Sequence, residues 1–283
     1  MRFTRTAALA AVSVLALSGC RQTNGTTTNT TTTTTTETAS APATAAGIDG
    51  TWKTDLSTLQ LEQKPDQLML KAGQFSCATC TPPLTVAADG AFHAVTGRPY
   101  ADQMSVKVDD DHNVTRTAQK GGKTTGTTKY TVSADGNTLT VSFNDMSASK
   151  PVTGSYTETR LGSVPAGAHA VSGSWKQAKY DNVSDEGLTA TFRLDGDMLH
   201  MTTPTGQSYD AKLDGTETPI KGDIGGTSAS VKKTGDNTYV ETDKRAGKVV
   251  SVTTMTLGAD GKLNVVSEDK QAGSTAKFAM NKQ

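Results

Sequence analysis

The chain has 283 residues, with 28 Lys and Arg balancing 28 Asp and Glu, four His, three Cys and nine Pro. That balance excludes the basic excess with which nucleic-acid binders neutralise phosphates, and disorder throughout would need a high net charge that is absent. Leu, Ile, Val and Phe supply only 46 residues whereas Thr alone supplies 49, so the composition predicts thin cores and strands whose solvent faces carry threonine.

Residues 1–19 read as a signal peptide. Arg2 and Arg5 form a positive start, and Ala7 to Leu17 form an apolar run shorter than the roughly 20 residues a membrane-spanning helix needs. Leu17-Ser18-Gly19-Cys20 follows and resembles the bacterial lipobox. The resemblance implies that the Cys20 thiol is acylated and that Cys20 becomes the mature N-terminus, anchored by several acyl chains where one would hold only marginally. Arg21 stands where an aspartate would retain such a lipoprotein in the inner membrane, so the outer membrane is the expected location, with the domains facing the periplasm.

Residues 20–47 then carry the lipidated cysteine and a Thr/Ala-rich stretch, Thr30 to Thr36 and Ala39 to Ala46 with Pro42. Nothing here is periodic and apolar, so the segment reads as a disordered tether. A flexible chain of that length holds its cargo roughly 30 Å from the membrane.

Beyond the tether the chain repeats itself. Gly50-Thr51-Trp52-Lys53 returns as Gly173-Ser174-Trp175-Lys176, Thr96 to Tyr100 returns as Thr205 to Tyr209, Lys120 to Lys123 as Arg245 to Lys248, and Ala134-Asp135-Gly136 as Ala259-Asp260-Gly261. The order is kept throughout, which predicts two tandem units at 48–162 and 170–283. Within them Leu188, Ala190, Phe192 and Leu194 alternate with polar residues, as do Leu139, Val141 and Phe143; this is the period of half-buried strands. Asp89-Gly90, Asp135-Gly136, Asp195-Gly196 and Asp260-Gly261 supply hairpin signals, because Gly accepts positive φ. The fold class expected is all-β, two antiparallel meanders each closing into a barrel that hides its edges.

Gly-x-Trp at the start of each meander, at Gly50 to Trp52 and Gly173 to Trp175, resembles the lipocalin and fatty-acid-binding superfamily. That resemblance implies that Trp52 and Trp175 each plug one barrel end, beneath an Arg from a late strand. Arg160 falls at that place in the first unit, while the second unit ends Phe278 to Lys282 without an Arg. As a whole the chain resembles a bacterial envelope lipoprotein.

Cys77 and Cys80 form a Cys-x-x-Cys pair followed by Thr81-Pro82-Pro83. Thr81 excludes c-type haem attachment, which needs His there, and no second pair exists to complete a structural zinc site. In an oxidising envelope a stapling disulfide is the default. The pair also resembles the Cys-x-x-Cys of a lipocalin-like outer-membrane copper-stress sensor, which keeps a thiol or copper role open. His93, His112, His169 and His200 show no ligand spacing, Asp109 to Asn113 lacks the alternation of a calcium loop and reads as a hairpin tip, and Gly121 to Thr124 lacks the earlier glycine of a phosphate loop. Gln207, Tyr209, Lys212 and Lys221 form the richest polar stretch, read either as a pocket rim or as strands and turns.

With no nucleophile motif, no metal cluster and no implied cofactor, the expectation is a non-enzymatic lipoprotein. It either binds a small apolar or amphipathic ligand in a barrel or serves as a structural or signalling module contacting envelope proteins. The partners expected are the membrane, through Cys20, and such a ligand or protein.

Overall fold

The computed structural model describes residues 47–283; the expected signal peptide, Cys20 and nearly all of the expected tether lie outside the described residues. The chain runs through β1 (Gly50–Glu62), β2 (Asp66–Lys71), β3 (Gln74–Cys77), β4 (Leu84–Ala87), β5 (Asp89–Ala94), β6 (Gln103–Val108), β7 (Asn113–Lys120), β8 (Lys123–Val132), β9 (Thr138–Asp145) and β10 (Val152–Leu161). It continues through β11 (Gly173–Val183), the single turn α1 (Asp185–Leu188), β12 (Thr189–Asp195), β13 (Met198–Thr202), β14 (Ser208–Lys212), β15 (Asp214–Pro219), β16 (Thr227–Gly235), β17 (Thr238–Arg245), β18 (Lys248–Leu257), β19 (Leu263–Asp269) and β20 (Ser274–Lys282).

These strands form two ten-stranded antiparallel sheets, ordered β4-β3-β2-β11-β10-β9-β8-β7-β6-β5 and β14-β13-β12-β1-β20-β19-β18-β17-β16-β15. Each curls into a nearly closed barrel. The alternation foreseen over 188–194 and 139–143 is present, with Ala190, Phe192, Leu139, Val141 and Phe143 buried. Asp135-Gly136, Asp195-Gly196 and Asp260-Gly261 lie at turns, and Gly136, Gly196 and Gly261 take φ of 74°, 59° and 76°. Asp89-Gly90 differs: both residues lie inside β5, where the ladder to β6 shifts register between Asp89 and Phe92. The dipeptide makes a bulge there, a role that also asks for a glycine at positive φ.

The division of the chain into 48–162 and 170–283 needs correction, because the two units exchange their opening strands. β1 pairs with β12 and β20, inside the second barrel, and β11 pairs with β10 and β2, inside the first. The first barrel is therefore β2 to β11 and the second is β1 with β12 to β20. The connection Gln63-Lys64-Pro65 explains why β1 does not fold back on β2. It has no Gly, Asn or Asp to turn a hairpin, and Pro65 biases Lys64 to extended backbone. Where the chain crosses between barrels, Gln63 Nε2 donates to Gln177 Oε1 at 3.0 Å. Two large apolar cores result, one around Trp175, Phe75, Leu139 and Val106, the other around Trp52, Leu199, Met201 and Phe278, and a smaller cluster gathers Phe143, Val183 and Leu188.

Candidate functional site

The exchange re-pairs the expected barrel plugs. Arg160 does not cover Trp52; its guanidinium lies 3.9 Å from the ring centroid of Trp175, the tryptophan of the second sequence repeat. Three backbone carbonyls hold the guanidinium, Gly136 O at 2.5 Å, Ser172 O at 2.7 Å and Ala170 O at 2.6 Å. Trp175 Nε1 donates to Val171 O at 2.8 Å. The second barrel repeats the arrangement with a different cation: Trp52 Nε1 donates to Ile48 O at 2.7 Å, and Lys282 Nζ lies 5.6 Å from the Trp52 ring. In both barrels a cation faces the electron-rich ring. Lys282 lay beyond the reach of the motif, which asks for Arg.

Cys77 and Cys80 are joined by a disulfide, with Cα atoms 5.4 Å apart. The bridge closes the connection after β3 and lies in the first barrel's core, both residues being buried. The histidines are dispersed: His93 meets Asp89, His112 meets Val132 O, His169 meets Asp110 O and His200 meets Asp210. Among the described residues no three His, Cys, Asp or Glu side chains gather as metal ligands. The 109–113 string is a hairpin tip, where the Asp110 carboxylate accepts from the backbone N–H of His112 and Asn113.

The polar stretch at 207–221 divides. Lys212 and Lys221 are exposed, Lys221 reaching Asp210 at 2.8 Å. Gln207 and Tyr209 are buried, and Tyr209 is no rim residue. Its hydroxyl donates to Glu241 Oε2 at 2.7 Å inside the second barrel. Glu241 and Asp243 form an acid pair there, 3% and 0% exposed. Ser251 Oγ donates to Asp243 Oδ2 at 3.0 Å, and Thr253 and Ser267 bond to each other at 3.1 Å nearby. Glu241 Oε1 and Asp243 Oδ1 receive no hydrogen bond from the rest of the protein. Burial raises the pKa of both carboxyls, and the charge of Glu241 pushes Asp243 well above the usual carboxylate range. A proton kept on Asp243 and donated to Glu241 satisfies the pair. No motif announced it: Glu241 and Asp243 stand in an ordinary alternating strand, where only two acids on the apolar side of the period could have drawn notice.

The first barrel holds a different set. Arg116, 4% exposed, lies 5.6 Å from the Tyr130 ring and donates to Thr128 Oγ1 at a long 3.4 Å. Glu158 is buried as well, and the rings of Tyr156 and Tyr180 lie 5.3 Å apart. Burial, then the charge of Glu158, raises the Tyr156 phenol well above its ordinary value.

The ends of the barrels away from the tryptophans meet each other. Tyr100, on the loop before β6, accepts a hydrogen bond from Arg245 Nη2 at 2.9 Å. Burial and the charge of Asp223 push its phenol up to about 12. Gly225 leaves room for the ring, since a Cβ there would come within 2.5 Å of it. Lys120 Nζ donates to Pro99 O at 2.5 Å and across the contact to Ile224 O at 2.7 Å, and Ser149 Oγ donates to Thr205 O at 2.6 Å.

The molecule is thus an all-β protein of two strand-exchanged, nearly closed barrels, each with a tryptophan under a cation at one end and buried polar groups within. Comparison with known protein families and with curated proteins finds no match. Among solved structures the chain is similar to a double mutant of the vaccine antigen Transferrin Binding Protein B from Haemophilus parasuis Hp5, at 10% identity and a TM-score of 0.20. The match covers 80% of this chain and 44% of that one, a likeness too loose to carry ligand, partner or location across.

Proposed function

We propose that this protein is a non-enzymatic lipoprotein, anchored to the outer membrane through acylated Cys20, whose barrels hold a small apolar or amphipathic molecule. The anchor rests on the lipobox resemblance at Leu17 to Cys20; among the described residues no helix is long and apolar enough to cross a membrane. The observation that carries the binding reading is Arg116. A guanidinium buried among apolar strands of the first barrel, with one long hydrogen bond to Thr128, is a group against which the acidic head of an amphipathic ligand would be held.

Native mass spectrometry of the full-length protein, released gently from membranes, tests the reading. A discrete organic adduct beyond the acyl chains, lost in Arg116→Ala, is the expected result. Protein bare except for its lipid overturns it in favour of a module that contacts envelope proteins. The copper or thiol sensor reading would require Cys77 and Cys80 to leave their buried disulfide.

A further inference from the structure

The contact between the barrels lies one strand step from the buried acid pair. Along β17 and β16 the register runs unbroken from Asp243↔Ala229 to Arg245↔Thr227, so Asp243 and Arg245 leave the strand on the same side. Arg245 Nη2 donates to Tyr100 Oη and to Thr227 Oγ1, both at 2.9 Å, and the guanidinium lies 5.2 Å from the Tyr100 ring centroid. Its Nε is buried and has no acceptor, while Asp243 Oδ1 is buried and has no donor outside the acid pair. A buried donor without an acceptor thus sits two residues from a carboxyl whose Oδ1 has only the neighbouring acid to turn to, and that donor belongs to one of the side chains that tie the barrels together.

We propose that Asp243, Arg245 and Tyr100 form a proton-controlled latch between the barrels. With Asp243 protonated, its proton bridges to Glu241 and Arg245 is free to hold Tyr100 over the end of the second barrel. When Asp243 gives its proton to solvent, two adjacent buried carboxylates demand a cation. Arg245 turns Nε toward Asp243, releases Tyr100, and the end of the second barrel opens.

The surroundings of Asp243 fit this role. Glu241 faces it from β17 with a like charge, Ser251 from β18 donates a hydrogen bond, and Tyr209 from β14 reaches the pair through Glu241. Ala229 and Thr227 on β16 carry no charge. Arg245 supplies the cation that acts on Asp243, and Asp223, before β16, acts on Tyr100 from the other side of the contact. A carboxyl so placed releases its proton well above the usual carboxylate range.

As a gate on a ligand the latch rests on the carrier reading; as a pH-dependent contact it does not. Hydrogen exchange of the full-length protein, corrected for intrinsic rates, compares residues 97–102 and 222–227 at about pH 5 and about pH 9, with β9 and β19 as references. Protection of both loops should fall by about tenfold or more at the higher pH in the wild type. It should stay high at both pH values in Asp243→Asn and be low at both in Tyr100→Ala. Equal protection at both pH values in the wild type, or the same loss in Asp243→Asn, overturns the proposal. Should Asp243→Asn fail to fold, Arg245→Gln should leave the loops unprotected at both pH values, and a retained pH response there would also overturn it. Failure of the carrier reading shows separately, as protein without an adduct in mass spectrometry.

Discussion

Arg160 lies over Trp175, its guanidinium carbon 3.9 Å from the ring centroid, and gives three hydrogen bonds to the carbonyls of Gly136, Ser172 and Ala170. The two residues come from different sequence repeats. Their contact therefore reports two things together, the closing of one barrel end and the exchange of opening strands that makes it. Arg160→Ala removes the cation from the ring and the donors from three carbonyls, and should cost about 2–4 kcal/mol. Arg160→Lys, which cannot reach all three carbonyls, should lose about half of that. Urea unfolding followed by tryptophan emission measures both.

The exchange itself predicts a cross-link. Lys53 lies opposite Asn281, and Lys176 lies opposite Thr159. Without exchange Lys53 would take the place of Lys176 and face Thr159. Mild oxidation should therefore join the cysteines of Lys53→Cys/Asn281→Cys and leave those of Lys53→Cys/Thr159→Cys free. The reverse pattern on a non-reducing gel would mean that each unit keeps its own first strand.

Stability should fall with rising pH because of the acid pair. Burial raises both Glu241 and Asp243, so above the unfolded carboxyl pKa of about 4 the folded state holds more protons than the unfolded one. The stabilisation is complete below that value and is lost progressively as pH climbs through the raised folded values. Asp243→Asn should flatten this slope and be more stable than the wild type at alkaline pH. Urea midpoints measured from about pH 4 to about pH 9 check the sign.

The Cys77–Cys80 disulfide closes a very short loop, so chain entropy allows it only about 2 kcal/mol of stabilisation. Cys77→Ser/Cys80→Ser should still fold, with a midpoint lowered to match. Both sulfurs are buried in the first barrel's core, so the native protein should take up no alkylating reagent until a reductant is added. Prompt labelling without reductant would revive a thiol role.

The proposed lipidation has a test independent of the fold. Cys20→Ala should abolish incorporation of radiolabelled fatty acid and release the protein from the membrane fraction, Cys20 being the one cysteine in residues 1–47.

Much of this architecture follows from local pattern. Period-two alternation at 188–194 and 139–143 placed strands where they are, and Asp-Gly steps placed three of four turns. These signals act within a few residues, where φ preference and side-chain period decide the outcome. The bridge between Cys77 and Cys80, which forms, was the default for such a pair in an oxidising envelope, although the spacing alone also allowed a thiol or metal role. Partner choice is another matter. Gly50-Thr51-Trp52 and Gly173-Ser174-Trp175 are equivalent strands that either barrel could accept, so their sequences do not say which one takes them; the extended crossing at Gln63-Lys64-Pro65 does, and its effect appears only when both sheets are closed. The same holds for Glu241, Asp243 and Arg245. On a single strand they are three polar residues in alternation. Only the closed barrel brings Tyr209 and Ser251 onto the acids, removes water from them, and sets Tyr100 of the other barrel against Arg245, because burial and cross-sheet contact belong to the tertiary structure.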